Sequence, residues 1–430
     1  MYFMNGGILK MSDASYTSYL EIDLGASGNR CTTESGKIFT FANNMVMLNT
    51  METTNLRVEN EVLEDNLECK ISKVEGDNGA SFFPTNVLVG SMASRHRMAS
   101  ERPSGNLSKY KQKINYISAI VACAMDRIEN GVSENIFLTI ATPPIEVFDA
   151  EATFNKYLVG KYEIEFPKYK DGTKTTVNIV GVKCYEESFM ALTSFMFNMN
   201  GTLRETARKY AGDKIFSLDI GASTTDGAMT DHGKYIDKAS KTWKIGGNMV
   251  RDAVIEMVSQ KYNIELSVAD AERAVSEGRI RQGVNYIVIG DLLDTAKYEL
   301  AAALVNKMDT YFKRIDEDIN SIRAIVVSGG GSLQSQYINE NKEVVKTSEP
   351  MSYYVTQELK KYANGIEVVH YGEEPRFANV KGLYIKAMFE KARKEKQNAA
   401  TTETKEVATS TANVIPEATE AKEETNTAII

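Results

Sequence analysis

The sequence predicts an α/β protein built as two similar domains, and three observations carry that expectation. The chain has 430 residues, and a single core rarely grows beyond ~250–300 residues. Apolar runs that read as buried strands alternate with longer stretches of helical spacing. One short pattern occurs twice, as Ile22-Asp23-Leu24-Gly25-Ala26-Ser27 and as Leu218-Asp219-Ile220-Gly221-Ala222-Ser223. The second copy runs on through Thr224, Thr225 and Asp226. In each copy an apolar run enters a turn of small and hydroxyl residues beside an Asp. Small residues let backbone N–H groups approach an anion, hydroxyls add donors, and the Asp can hold a hydrated metal ion. One such turn alone is equally a plain hairpin. Its repetition points to two halves facing one nucleotide.

Composition narrows the partners. Hydrophobic content of 43% and charged content of 25% are ordinary for a soluble globular protein. A net charge of -8 argues against direct, charge-driven DNA binding, although an acidic protein can reach DNA through a basic adaptor. Cys31, Cys69, Cys123 and Cys184 form no Cys-x-x-Cys pair and read as buried thiols of a reducing cytoplasm. His96, His232 and His370 show no ligand spacing. No apolar run approaches the ~20 residues of a membrane helix. The first residues lack the basic and apolar regions of a signal peptide and read as a loose leader.

In chain order, residues 17–25 read as a strand ending in the first turn, and Asn29–Thr33 and Lys37–Phe41 as a hairpin. The turn is thus strand–turn–strand, unlike a Rossmann or P-loop site, where a helix N-terminus takes the phosphate. Residues 42–112 read as polar and irregular, with strand-like pieces such as Asn86–Gly90. Arg95, Arg97, Arg102, Lys109, Lys111 and Lys113 read as a solvated basic face, or else as a filament or partner contact. Residues 114–129 have core-facing helical spacing. Ile136–Ile140 reads as a buried strand stopped by Pro143 and Pro144. Residues 162–185 read as edge strands about Lys170-Asp171-Gly172, and Phe189–Met199 as an apolar helix ended by Gly201. After the second turn come a hairpin at Asp231–Lys234 and a helix entered through Gly246-Gly247-Asn248. A mixed segment over 264–290 follows, then a long helix, Asp291–Asp316, carrying Lys297 and Tyr298. The strand Ala324–Val327 runs into Ser328-Gly329-Gly330-Gly331-Ser332, and a last helix starts at Phe377. From Glu395 the chain is too polar to bury a core and reads as disordered.

Five segments in this order resemble those of the actin/heat-shock-chaperone/sugar-kinase ATPase fold: Asp23–Ser27, Glu186-Glu187-Ser188 before an apolar helix, Asp219–Asp226, Gly246–Asn248 and Val327–Ser332. Leu138-Thr-Ile-Ala-Thr-Pro-Pro144, Val182-Lys-Cys-Tyr-Glu-Glu-Ser188 and Gly246-Gly-Asn-x-Val250 are similar to the ParM-type family of plasmid-segregating bacterial actins. The likeness covers roughly residues 17–394.

The resemblance implies two ribonuclease-H-like, actin-like domains around a nucleotide cleft, each with a small inserted subdomain. It sets a leader at 1–10 and domain I at 11–213, with a small subdomain at about 37–110. Domain II is 214–376, with its small subdomain at about 255–295. A helix over 377–394 crosses back, and 395–430 is an acidic tail. It implies that Asp23 and Asp219 hold hydrated Mg²⁺ and that Gly25, Ala26 and Ser27 clasp phosphates from one side. Gly221, Ala222, Ser223, Thr224 and Thr225 clasp them from the other. Glu187 orients the attacking water. Gly246, Gly247 and Asn248 lie near the ribose and base, Lys297 and Tyr298 flank the base, and Gly330, Gly331 and Ser332 approach the nucleoside. The family carries Pro where this chain has Glu186, so Glu186 competes with Glu187 for the water. The implied function is hydrolysis of ATP, with GTP as the alternative, coupled to polymerisation in the bacterial cytoplasm. The partners are other copies of the chain and a DNA-bound adaptor, with no direct nucleic acid and no membrane. The alternatives are a sugar-type kinase and a non-hydrolysing nucleotide-binding scaffold.

Overall fold

A computed structural model describes residues 17–49, 54–56, 60–76, 84–96, 98–105, 107–363, 365–372 and 374–393. The expectations for the leader, for Arg97 and for the tail lie outside the described residues.

Two sheets organise the molecule, and each is seeded by the same local event. In the first half, β1 (Thr17–Leu24) turns back through residues 25–28 into β2 (Asn29–Thr33). In the second half, β10 (Lys214–Ile220) turns back through residues 221–224 into β11 (Thr225–Asp231). The other edge of β1 pairs parallel with β7 (Asn135–Thr142), and that of β10 with β16 (Ala324–Ser328). The register matches as well: Asp23 stands opposite Arg30, and Asp219 opposite Asp226.

The first sheet is completed by β3 (Ile38–Phe41), β4 (Met45–Leu48), β5 (Glu68–Glu75), β6 (Thr85–Val89), β8 (Gly160–Phe166) and β9 (Thr173–Glu186), in the order β3-β2-β1-β7-β9-β8-β5-β6-β4. Leu20, Ile22 and Leu24 alternate onto one core with Ile140 and Cys184. That core is closed by α2 (Lys113–Asn130) and α3 (Val147–Leu158); α1 (Ser91–Arg95) covers the far end. Each aliphatic side chain fully buried there contributes ~1.5–3 kcal/mol.

Two expectations are corrected here. Residues 42–112 are not irregular, because β4 and β5 lie within them beside β6, the strand-like piece expected at Asn86–Gly90; polar connections hide segments as short as four residues. The strands over 160–186 are not edges. β7 takes the free side of β9 and β5 takes that of β8, pairings too distant in sequence to leave a local sign.

The second sheet runs β12-β11-β10-β16-β19, with β13 also on β11; β12 is Lys234–Tyr235, β13 Lys241–Trp243 and β19 Glu367–His370. His232 (φ +50°) and Gly233 (φ +71°) make the two-residue turn into β12, so His232 is a turn residue as its sequence neighbours imply. The core lies beneath α5 (Gly247–Tyr262), α7 (Gly290–Arg314) and α8 (Met351–Leu359). A satellite of α6 (Val268–Glu277) and the hairpin of β14 (Arg279–Gln282) and β15 (Asn285–Val288) matches the mixed segment. It also packs against a hairpin from later in the chain, β17 (Ser335–Ile338) with β18 (Val344–Ser348).

Between the sheets runs α4 (Glu187–Met196). It ends earlier than expected: Phe197 is already extended and bridges Leu203, and Gly201 (φ +78°) serves the loop between them. A helix over residues 378–393 starts behind a turn at Pro375–Phe377. The chain divides at Lys386 into the unit described so far and one beginning at Ala387. Gly382 of this helix presses on α4: a Cβ there would stand 1.9 Å from the Met190 carbonyl oxygen. Gly382→Ala gains ~1 kcal/mol of helix propensity, yet it must push two backbones apart. The expected net result is destabilisation by about 1–3 kcal/mol, read as a lower urea midpoint. All four cysteines are free and buried. Among the described residues no helix is long and apolar enough to cross a membrane.

Candidate nucleotide cleft

The ends of β1 and β10 carry Asp23 and Asp219, each only 5% exposed. Two apolar strands and their matching hairpins thus bring two carboxylates to one place. Lys109, just ahead of α2, reaches into the same place. Its Nζ donates to Glu187 Oε1, lies 3.6 Å from Asp23 Oδ1 and is 3.4 Å from the Ala141 carbonyl oxygen. Arg30, across the hairpin, sets Nη1 3.6 Å from Asp23 Oδ2. Asp219 accepts a 2.8 Å hydrogen bond from Asn379 Nδ2, and Ser328 Oγ lies 3.4 Å away. Asp226 accepts from Thr242 Oγ1 at 2.6 Å.

Four carboxyl groups therefore share a buried volume with two cations, and their pKa values show the imbalance. Burial, with Asp23 nearby, pushes Asp219 up to about 6 against the opposing bond from Asn379. Burial and the adjacent Glu187 push Asp226 up strongly. Burial raises Glu187 to about 7, with Lys109 pulling the other way. Burial alone would lower Lys109, but Glu187 and Asp23 outweigh it and hold its proton on. A cluster that holds protons in place of positive charge fits a divalent cation. Among the described residues no three His, Cys, Asp or Glu side chains converge as a metal cage. An ion here would keep most of its water, as Mg²⁺ does beside one or two carboxylates.

The raised pKa values fix a pH trend. A carboxylate with a folded pKa above its unfolded value favours the folded state while protonated, and that contribution is lost as pH rises through the folded value. For Asp219 the window runs from its ordinary 3.8 to about 6. Asp219→Asn should therefore gain stability over the parent across that interval. The check is the difference in urea midpoint between the two proteins against pH, without nucleotide or metal.

The glycine segments converge on the second turn. Gly221 N–H donates to the Thr224 carbonyl at 2.9 Å, which closes the turn. Gly247 and Asn248 donate backbone N–H to the carbonyls of Gly221 and Ala222, at 2.9 and 2.7 Å. A Cβ on Gly246 would stand within 2.9 Å of three carbonyl oxygens of that turn, so only glycine fits. Gly329 (φ +84°) would meet Asp219 Oδ1 at 2.4 Å if it carried a Cβ. Gly331 lies against Ile220 and Gly221, Gly330 against Arg376, and Ser332 Oγ donates to the Gly329 carbonyl. Thr225 Oγ1 donates to the Ile245 carbonyl, and Asn248 Nδ2 to Ser223 Oγ. The first turn is more open. Gly25 packs on the Arg30 guanidinium, its carbonyl accepts from Asn43, Ala26 is half-buried and Ser27 exposed. Gly105, in a loop of the first half, faces Ser223 so closely that a Cβ would lie 2.3 Å from its Oγ. The two halves therefore approach each other across the cleft.

The structure places the remaining candidate residues as follows. Glu186 does not enter the cleft, because its carboxylate accepts from the hydroxyls of Tyr235 and Ser240; Glu187 does enter. Lys297, expected to flank the base, is tied up by protein oxygens. It is 2% exposed, and its ammonium donates to Leu333 and Glu349 carbonyls and to Ser335 and Ser348 hydroxyls at 2.7–3.3 Å. Burial brings its pKa down to about 7. Tyr298 packs edge-on to Tyr354, ring centroids 4.8 Å apart. The basic patch keeps Arg102 and Lys111 exposed but loses two members inward. Arg95 donates to the Asp65 carbonyl, Arg102 lies 4.0 Å from Glu272, and Lys109 turns inward.

Residues 217–337 match the model of the C-terminal family of archaeal actin homologue MreB-like proteins. A search of curated protein sequences found no match. Among solved structures, the actin-like protein Alp7A superposes with a TM-score of 0.66 at 14% identity, over 90% of this chain and 100% of that one. A 15-stranded ParM filament from Clostridium botulinum gives 0.60 at 16% identity, over 86% of this chain and 98% of that one. Bacillus thuringiensis ParM with ATP gives 0.59 at 14% identity, over 87% and 99%.

The chain has the actin-like fold.

Sequence reasoning on this actin-like chain missed Lys109, Arg30, Asp226 and Asn379 as cleft residues. Asp226 and Asn379 lay inside segments singled out for other reasons. Arg30 could have been found from strand alternation, since a hairpin closed by residues 25–28 sets it opposite Asp23.

Proposed function

We propose that this protein hydrolyses ATP, or GTP, and couples hydrolysis to assembly of a filament that segregates plasmid DNA through a DNA-bound adaptor. The observation that supports it best is the pair of hairpins in equal register, with Asp23, Asp219 and Glu187 meeting around Lys109. In this reading Asp23 and Asp219 hold the water shell of Mg²⁺, which when bound neutralises phosphate oxygens. Backbone N–H groups of Gly25–Ser27 and Gly221–Thr225 face the phosphates. Glu187 orients the attacking water and takes its proton, since phosphoryl transfer to water needs positioning and charge more than covalent chemistry. Gly246, Gly247, Asn248, Gly330, Gly331 and Ser332 border the nucleoside. Lys297 and Tyr298 support the base side from within: the lysine ties β17 and β18 to α7 instead of touching the base itself.

Domain I is 11–213 and domain II 214–376, and the helix after Phe377 returns to brace Asp219 through Asn379. Nucleotide favours the closed, polymerising arrangement and hydrolysis weakens it. A head-to-tail contact that does not close on itself then gives an open filament. Other copies and a DNA-bound adaptor are the partners, in a bacterial cytoplasm, with no direct hold on nucleic acid or membrane. On addition of Mg²⁺-ATP, light scattering should rise and electron micrographs should show filaments. A flat trace with sugar-dependent ADP release would identify a kinase instead. Tight binding without phosphate release would identify a scaffold.

A further inference from the structure

Glu186 ends β9 and caps α4, with φ −71° and ψ 128°. Its carboxylate is held from the second sheet. Tyr235, on β12, donates its hydroxyl to Glu186 Oε2, Ser240 Oγ lies 3.1 Å from the same oxygen, and the two hydroxyls are 2.5 Å apart. Phe189, in the first turn of α4, sets its ring 4.9 Å from that of Tyr235. The next side chain in sequence, Glu187, points the other way, to Lys109 in the cleft. One peptide unit therefore joins a clamped carboxylate to the carboxylate assigned to the water. Rotation at residue 186 would swing Glu187 out of place.

We propose that Glu186 is a positioning residue: its clamp by Tyr235 and Ser240 locks the strand-to-helix corner that aims Glu187. A proline ring would hold the same φ, near −65°, and the residue before it is already extended in β9. The chain thus secures by hydrogen bonds what a ring would secure covalently. The difference lies in where the lock is anchored. A ring acts within its own residue, whereas this clamp reaches across to the second sheet. The aim of Glu187 therefore depends on the two halves keeping their places.

This inference rests on the hydrolytic reading of the cleft, and its test separates the two. Single-turnover phosphate release and nucleotide affinity are measured on the full chain for Glu186→Ala, Glu186→Gln, Glu186→Pro and Tyr235→Phe. Displacing a reacting group by a fraction of an ångström to an ångström costs about tenfold to a hundredfold in rate. Glu186→Ala and Tyr235→Phe should lose that much in kcat while affinity stays within about twofold. Glu186→Gln, which still accepts from Tyr235, and Glu186→Pro, which restores the φ lock, should both recover most of the loss. Unchanged kcat in Glu186→Ala and Tyr235→Phe overturns the proposal, as does a Glu186→Pro protein no faster than Glu186→Ala. If the parent chain releases no phosphate, the hydrolytic reading fails. Hydrogen exchange over residues 183–190 still decides on the clamp. Faster exchange in Tyr235→Phe, slowed again in Glu186→Pro, supports it, and equal exchange in all variants overturns it.

Discussion

Replacing Glu187 with glutamine should slow phosphate release by about 10²- to 10⁴-fold, the range one general base supplies, and leave nucleotide affinity nearly unchanged. The side chain is the right one for three reasons. It is buried, its acidity is shifted up to about 7 where a base works best, and its partner is a lysine that a phosphate can displace. Glutamine keeps the shape and one acceptor oxygen but cannot take the proton. The measurement is single-turnover phosphate release beside a binding titration with a fluorescent nucleotide. Loss of affinity with an unchanged rate would make Glu187 a ligand for the metal–nucleotide complex. No change in either would remove it from the chemistry.

Replacing Lys109 with methionine should be the most destabilising single change in the cleft. The ammonium is the shared counter-charge of Asp23 and Glu187, with side chains 7% and 10% exposed. Removing one partner of a buried ion pair leaves an uncompensated charge and costs about 3–5 kcal/mol. The cost should shrink when Glu187 is replaced as well, because one of the two orphaned charges then disappears. The check is a double-mutant cycle of Lys109→Met and Glu187→Gln by urea denaturation without ligand. The two changes should be far from additive. Additive losses would mean that Lys109 acts through packing alone. Mg²⁺ should also stabilise Lys109→Met more than the parent, since a divalent ion supplies the missing charge.

How much of this was legible in the sequence follows from the range of the forces involved. The twin turns were legible because Asp, Gly and Ser act on their own backbone, within a few residues. The helices over 113–130 and 290–314 were legible from spacing alone. β4 and β5 were not, because their stability comes from pairings such as Lys70 with Glu165, far apart in the chain. Nor could a run of lysines and arginines announce that Lys109 turns inward, since the carboxylates that draw it are 78 and more residues away. The choice between Glu186 and Glu187 stayed open for the same reason. Adjacent residues at a strand end face opposite ways, and only Tyr235 and Ser240 decide which way each one faces. The surroundings of Lys297 were not legible because its four oxygen partners come from the β17–β18 hairpin and its flanks, well beyond its own helix.

The matched hairpins differ at one rung: a guanidinium faces the first aspartate, while a third carboxylate faces the second. A gap with equal walls would accept an elongated polyanion in either sense. Here one wall presents a guanidinium and the other a carboxyl that burial and Glu187 push toward its neutral form, so the two walls are chemically unequal.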